Sequence, residues 1–147
     1  MIESINLQLP TCRRNYCTVD WNKLTPIVNQ GEQALPSIKQ SLATSNDETE
    51  ILENLYTLDI MLDNGVQGID KLYPELSRFN DTKSPNIQTF LAGIYRKTQI
   101  PDAFGPLVSM LINNSVTEAI NNANGIKTQK NFDPNEEIGG AIISYLA

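Results

Sequence analysis

The sequence predicts an all-α fold: a short α-solenoid of about three antiparallel helix pairs with a C-terminal capping helix. Two observations lead there. Apolar residues recur at helical spacing from residue 20 to 112, with helix start and stop residues in the breaks between runs. The chain also matches itself at a shift of 34 residues, a length typical of repeating helix pairs. Size permits such a fold. A chain of 147 residues makes one domain, and Leu, Ile, Val and Phe supply 40 of them, above the roughly 20% below which a charged chain tends to stay unfolded.

Asp20 opens a first helix to about residue 29, with Trp21, Leu24, Ile27 and Val28 on one side and Gly31 ending it. A second, about 32–44, carries Leu35, Ile38 and Leu42, with Pro36 in the first turn, where a missing amide is tolerated. Asp47, with Glu50 three residues on, reads as a capping box for the third helix. Its Ile51, Leu55, Leu58 and Leu62 form one stripe while Leu52, Ile60 and Met61 lie off it. A helix apolar on more than one side is expected at the centre of the fold. The fourth helix, about 66–79, presents Ile69, Leu72, Tyr73 and Leu76, and Pro74 should break or bend it. Ser84-Pro85 starts the fifth, whose Ile87, Phe90, Leu91, Ile94 and Tyr95 follow the amphipathic template without a miss. Asp102 opens the sixth, where Phe104, Leu107, Val108, Leu111 and Ile112 repeat that template. Residues 113–131, rich in Asn, Thr, Gln and Lys, predict a frayed helix and then a loop. Asp133-Pro134-Asn135-Glu136 starts a final helix, about 134–146, with Ile138, Ile142, Tyr145 and Leu146 on one face. The chain thus divides into an N-terminal arm (1–19), a helical-repeat domain (20–114), and a polar linker with a capping helix (115–147).

At the shift of 34, Gly31 aligns with Gly65, Gln33 with Gln67, Leu35 with Ile69, Ile38 with Leu72, Leu42 with Leu76, Asn46 with Asn80 and Asp47 with Asp81. A looser third copy places Phe104, Leu107 and Leu111 at a shift of 35 from the second. The runs Leu35-Pro36-x-Ile38…Leu42…Asn46-Asp47…Ile51…Leu55…Leu58, then Leu72-Tyr73-Pro74-x-Leu76…Asn80-Asp81…Ile87…Leu91…Ile94, then Gly105-Pro106-Leu107-Val108…Leu111, resemble HEAT-type repeats over roughly residues 21 to 120. Leu52 and Gln88 stand where that pattern has an arginine, which leaves armadillo-like and generic helical repeats open beside HEAT. A tetratricopeptide pattern fits the period less well, because Thr25 and Val28 stand where its Gly and Tyr belong.

The formal charge of −6, from 11 Lys and Arg against 17 Asp and Glu, opposes a phosphate backbone, so no nucleic-acid partner is expected. The absence of histidine removes imidazole from every general-base and metal-ligand scheme. No apolar run approaches the roughly 20 residues of a membrane-spanning helix. Residues 1–18 lack the features of a secretory signal, so a cytoplasmic location is expected, or an exported one had a leader been removed. Cys12 and Cys17 bracket Arg13-Arg14-Asn15-Tyr16. Two thiols cannot complete a four-ligand zinc site on one chain. A short disulfide, a thiol activated by the arginines, and two reduced cysteines packed on the first helix stay open.

Glu48, Glu50 and Glu53 crowd the start of the third helix, where negative charge is favourable. Asp59 and Asp63 lie one turn apart, as in a two-carboxylate site or on a polar face. Asp133, Asn135 and Glu137 alternate like calcium ligands, but a capping motif accounts for them and the EF-hand pattern is absent. Gly65-x-x-Gly68 lacks the lysine and preceding strand of a phosphate loop. Gly139-Gly140 either admits a close helix or weakens its own, each Gly costing up to about 1 kcal/mol against Ala. No catalytic residue, metal site or cofactor is expected. Resemblance to HEAT-like proteins implies that Tyr56, Asp59 and Asp63 on the third helix, with Gln88, Tyr95 and Arg96 on the fifth, line a concave face for a protein or peptide. The alternative places Tyr56 and Tyr95 partly inside, between repeats. The expected function is a non-catalytic binding module, a scaffold or adaptor. The rivals are a carboxylate-based enzyme or ligand-binding protein, and a structural homo-oligomer assembled through the C-terminal helix.

Overall fold

The computed structural model describes residues 21–126 and 133–147; the expected arm, with Cys12 and Cys17, lies outside them, as does part of the expected linker. The described residues form an all-α fold of seven α-helices without strands: α1 Trp21–Asn29, α2 Leu35–Thr44, α3 Glu48–Asp63, α4 Tyr73–Leu76, α5 Pro85–Thr98, α6 Phe104–Ala123 and α7 Pro134–Leu146. Short 3₁₀ turns lead into α2, α4 and α6, and another follows α4. Pro36 and Pro74 are each the second residue of a helix, where no intrahelical amide is needed. Pro74 thereby cuts the expected fourth helix into a 3₁₀ turn, one α turn and a second 3₁₀ turn.

Helices α1, α3, α5 and α7 pack side by side in that order. On their flank α2 packs on α3 and α4, while α6 packs on α7. The apolar positions matched at a shift of 34 share their environments: Leu35, Ile38 and Leu42 are buried like Ile69, Leu72 and Leu76. Gly31 and Gly65 share a left-handed backbone, which glycine adopts without steric cost.

The centre of the core falls on α5 rather than on α3. Eight of the 14 residues of α5 are buried, against seven of 16 in α3. Packing between α3 and α7 encloses α5 on two sides. The capping box at α3 is half formed. Asp47 accepts from the Thr49 amide at 3.1 Å, while Glu50 accepts from the Ser41 hydroxyl at 2.7 Å and so ties α3 to α2.

The expected frayed end after residue 112 is instead continuous helix to Ala123. Asn114, which in a loop would compete for backbone partners, donates sideways to Gln88 and Asn135. Ser115 returns its hydroxyl to the Leu111 carbonyl within the helix. The boundary expected at residue 114 therefore falls inside one helix.

Candidate functional site

The residues expected to line one face separate in depth. Tyr56 and Tyr95 are 1% and 0% exposed, and Gln88 is 4% exposed. These three are core residues and not a partner surface, which corrects the expectation. Tyr56 packs on Phe90 across the α3–α5 contact, ring centroids 5.1 Å apart. Tyr95 donates its hydroxyl to Asn80 at 2.7 Å and lies against Tyr73, so it fastens the turns after α4 to α5. Burial holds its phenol far above the usual range.

Asp59 and Asp63 do come together, on a cation that sequence reasoning passed over. Lys97 Nζ lies 2.7 Å from Asp59 Oδ1 and 2.8 Å from Asp63 Oδ1. Burial raises the Asp59 carboxyl above its ordinary value, and the Lys97 ammonium offsets this only in part. Burial works against the charge on Lys97, but the two carboxylates outweigh it and hold its pKa above the usual value. Arg96, the neighbour singled out in the sequence, is exposed. Lys97 comes from 38 residues away, and nothing local to Asp59 signals it. The triad joins α3 to α5 and has the form of a structural ion pair. Among the described residues, no group of three or more acidic, Cys or His side chains gathers to hold a metal. Asp133 and Asn135, read for calcium, are engaged otherwise: Asp133 caps α7 by accepting from the Asn135 amide, and the Asn135 side chain accepts from Asn114.

A cleft of about 470 Å³ opens where the starts of α5 and α7 meet the far half of α6, bounded by Lys83, Pro85, Glu118 and Pro134. Its floor is a ladder of side-chain amides. Gln88 donates to the Thr82 carbonyl at 3.0 Å and exchanges two bonds with Asn114, which also reaches Asn135 at 2.9 Å. These groups satisfy one another.

The opposite side of α6 has no such closure. Only Leu107 and Met110 of its 20 residues are buried. Ile112, Val116 and Ile120, one turn apart, are 56%, 52% and 55% exposed. Exposed Ser109 and Ala123 continue the same line, and the single charged residue of α6, Glu118, faces the cleft instead. An apolar stripe on the solvent side inverts ordinary amphipathicity. In the sequence alone Ile112 ends a core-like template and the Asn-rich run reads as linker, which hides the stripe. The available signal was the spacing of Ile112, Val116 and Ile120 in a segment with one charge. At Gly139-Gly140 a Cβ would meet nothing within 4 Å, so no element among the described residues packs closely on the pair. No helix among the described residues is long and apolar enough to cross a membrane. No protein family, curated protein or solved structure matches this chain.

Proposed function

We propose that this chain is a non-catalytic protein-binding module, a short HEAT-like α-solenoid whose partner docks on the outer face of α6. The observation that carries the reading is the exposed line Ile112, Val116 and Ile120. Beyond Met110 no residue of α6 is buried, so about three turns of helix lack a core of their own. Nine of the twelve residues 112–123 are Ile, Asn, Ser, Val or Thr, middling helix formers beside the stronger Glu118, Ala119 and Ala123, and short helices gain most of their stability from packing an apolar face. Covering the half-exposed side chains would contribute about 1 kcal/mol each. The enzyme reading has no comparable support, because Asp59 and Asp63 share one ammonium. A scaffold role through Tyr56, Gln88 and Tyr95 is likewise set aside, since they are buried.

Val116→Arg tests the proposal. The variant should keep the circular dichroism and melting temperature of the wild type, since Val116 is 52% exposed and lies outside the core cluster, and should lose capture of a protein partner on immobilised chain. Undiminished capture by the folded variant would refute this use of α6.

A further inference from the structure

We infer that the partner of this face is a second copy of the chain, joined through an antiparallel pair of α6 helices about a two-fold axis at Val116. This rests on the proposed binding role of the α6 face and names its partner. Along its central line the stripe offers the same kind of residue in both directions from Val116, although Asn113 and Ala119 flank it unequally. Four residues away on either side stands Ile, at 112 and 120; seven away stands a small residue, Ser109 and Ala123; all are exposed. A two-fold axis lays a surface on itself in reversed order. Ile112 of each copy therefore meets Ile120 of the other, Val116 meets Val116, and the small residues at the ends leave the backbones room to cross.

Charge permits a second copy on this face, and the reversed symmetry of the stripe selects it. Two chains of net charge −6 repel, and a face used between them must be free of acidic groups. Ile112, Val116, Ile120, Ser109 and Ala123 are all uncharged, and Glu118 points to the cleft. An uncharged face also offers nothing to select a strongly charged partner.

The inference moves the homotypic contact from the C-terminal helix to α6. Helix α7 gives one face to the core through Ile138 and Ala141, both fully buried, and although Ile143 and Leu146 on it are exposed, they do not form the continuous line that Ile112, Val116 and Ile120 make. Deleting it would open the fold rather than test assembly.

The test is sedimentation equilibrium of the full chain from low micromolar to near-millimolar concentration. The expected mass rises from one copy to two, and Val116→Arg stays at one copy throughout. Register is read by mild oxidation in a Cys12→Ser/Cys17→Ser background. Val116→Cys should form linked dimers with itself. Ile112→Cys should link to Ile120→Cys chains but not to itself, because in this register two copies of residue 112 are about 12 Å apart along the helices, beyond disulfide reach. Linkage of Ile112→Cys to itself would overturn the antiparallel arrangement. A one-copy mass at every concentration would overturn the proposal. In that case, loss of a different captured protein by Val116→Arg would leave the binding role standing with a foreign partner. With Cys12 and Cys17 kept, closure of the Val116→Cys thiol on either of them within one chain would overturn the second copy and assign the stripe to the N-terminal segment. Unchanged mass and unchanged capture would refute both readings.

Discussion

Gln88 and Asn114 exchange two hydrogen bonds in opposite senses: the Asn114 amide donates to Gln88 Oε1 at 2.8 Å, and the Gln88 amide donates to Asn114 Oδ1 at 3.3 Å. The pair joins α5 to α6, with Gln88 inside the core. Asn114→Leu should lower the unfolding free energy by about 1–3 kcal/mol, because it strands a buried acceptor on Gln88. Gln88→Leu/Asn114→Leu should lose less than the two single changes together, since neither partner is then left unpaired. A urea-unfolding double-mutant cycle measures this.

Lys97 should matter more than Asp63, the exposed end of its triad. Lys97→Met is expected to cost about 1–2 kcal/mol at neutral pH, by stranding the part-buried Asp59 charge. Asp63→Asn should stay within about 0.5 kcal/mol, as Asp63 is 59% exposed. The pH dependence follows in sign. Asp59 titrates above its ordinary 3.8 in the folded chain, so its contribution is full below that value and is lost as pH rises through the folded pKa. Removing Lys97 raises that folded pKa further. The deficit of Lys97→Met should therefore shrink as the pH is lowered through the acid range, measured by chemical unfolding at a series of pH values.

At the alkaline end, Tyr145 gives a separate signal. Its hydroxyl donates to the Ile100 carbonyl at 2.6 Å, and burial pushes its pKa from 10.0 to about 12. A raised folded value means the contribution is present below pH 10 and disappears as pH rises through about 12. Tyr145→Phe should lower stability at neutral pH by about 1 kcal/mol and flatten the fall above pH 10. Phenolate absorbance in the same titration should show one fewer late-ionising tyrosine.

Glycines divide by backbone. Gly68 has φ +93°, and a Cβ there would sit 3.4 Å from Leu35 Cδ1. Gly68→Ala should destabilise by about 1–3 kcal/mol. Gly139 lies within α7 with open space around it, and Gly139→Ala should stabilise by up to about 1 kcal/mol. Thermal melts of the two variants should shift in opposite directions.

Helix α5 was legible residue by residue because its apolar template and its Ser84-Pro85 start are both local signals. The start and extent of α7 were equally legible, from Pro134 with Asp133 as its cap, but its expected face was not wholly so, since Ile138 is buried while Leu146 is exposed. Depth was not legible. Tyr56 lies off the main stripe of α3, where helical phase suggests a surface, and Tyr95 sits on the α5 template but is set on a concave face by the HEAT resemblance; contacts across α3, α5 and the turns after α4 bury both, and those contacts span too many residues for a local pattern to report. Lys97 was hidden for the same reason. The far half of α6 failed differently: its asparagines signal a loop until Gln88 and Asn135 are seen to take up the side chain of Asn114.

The placement of α7 bears on the order of events during synthesis. Residues 134–146 close α5 by bringing Ile138 and Ala141 into the core and Tyr145 to the Tyr95 carbonyl, and they leave the ribosome after everything they cover. Until then one flank of the most enclosed helix is open to water. A nascent chain stalled before residue 134 would display that flank to chaperones and proteases, as incompletely packed intermediates do.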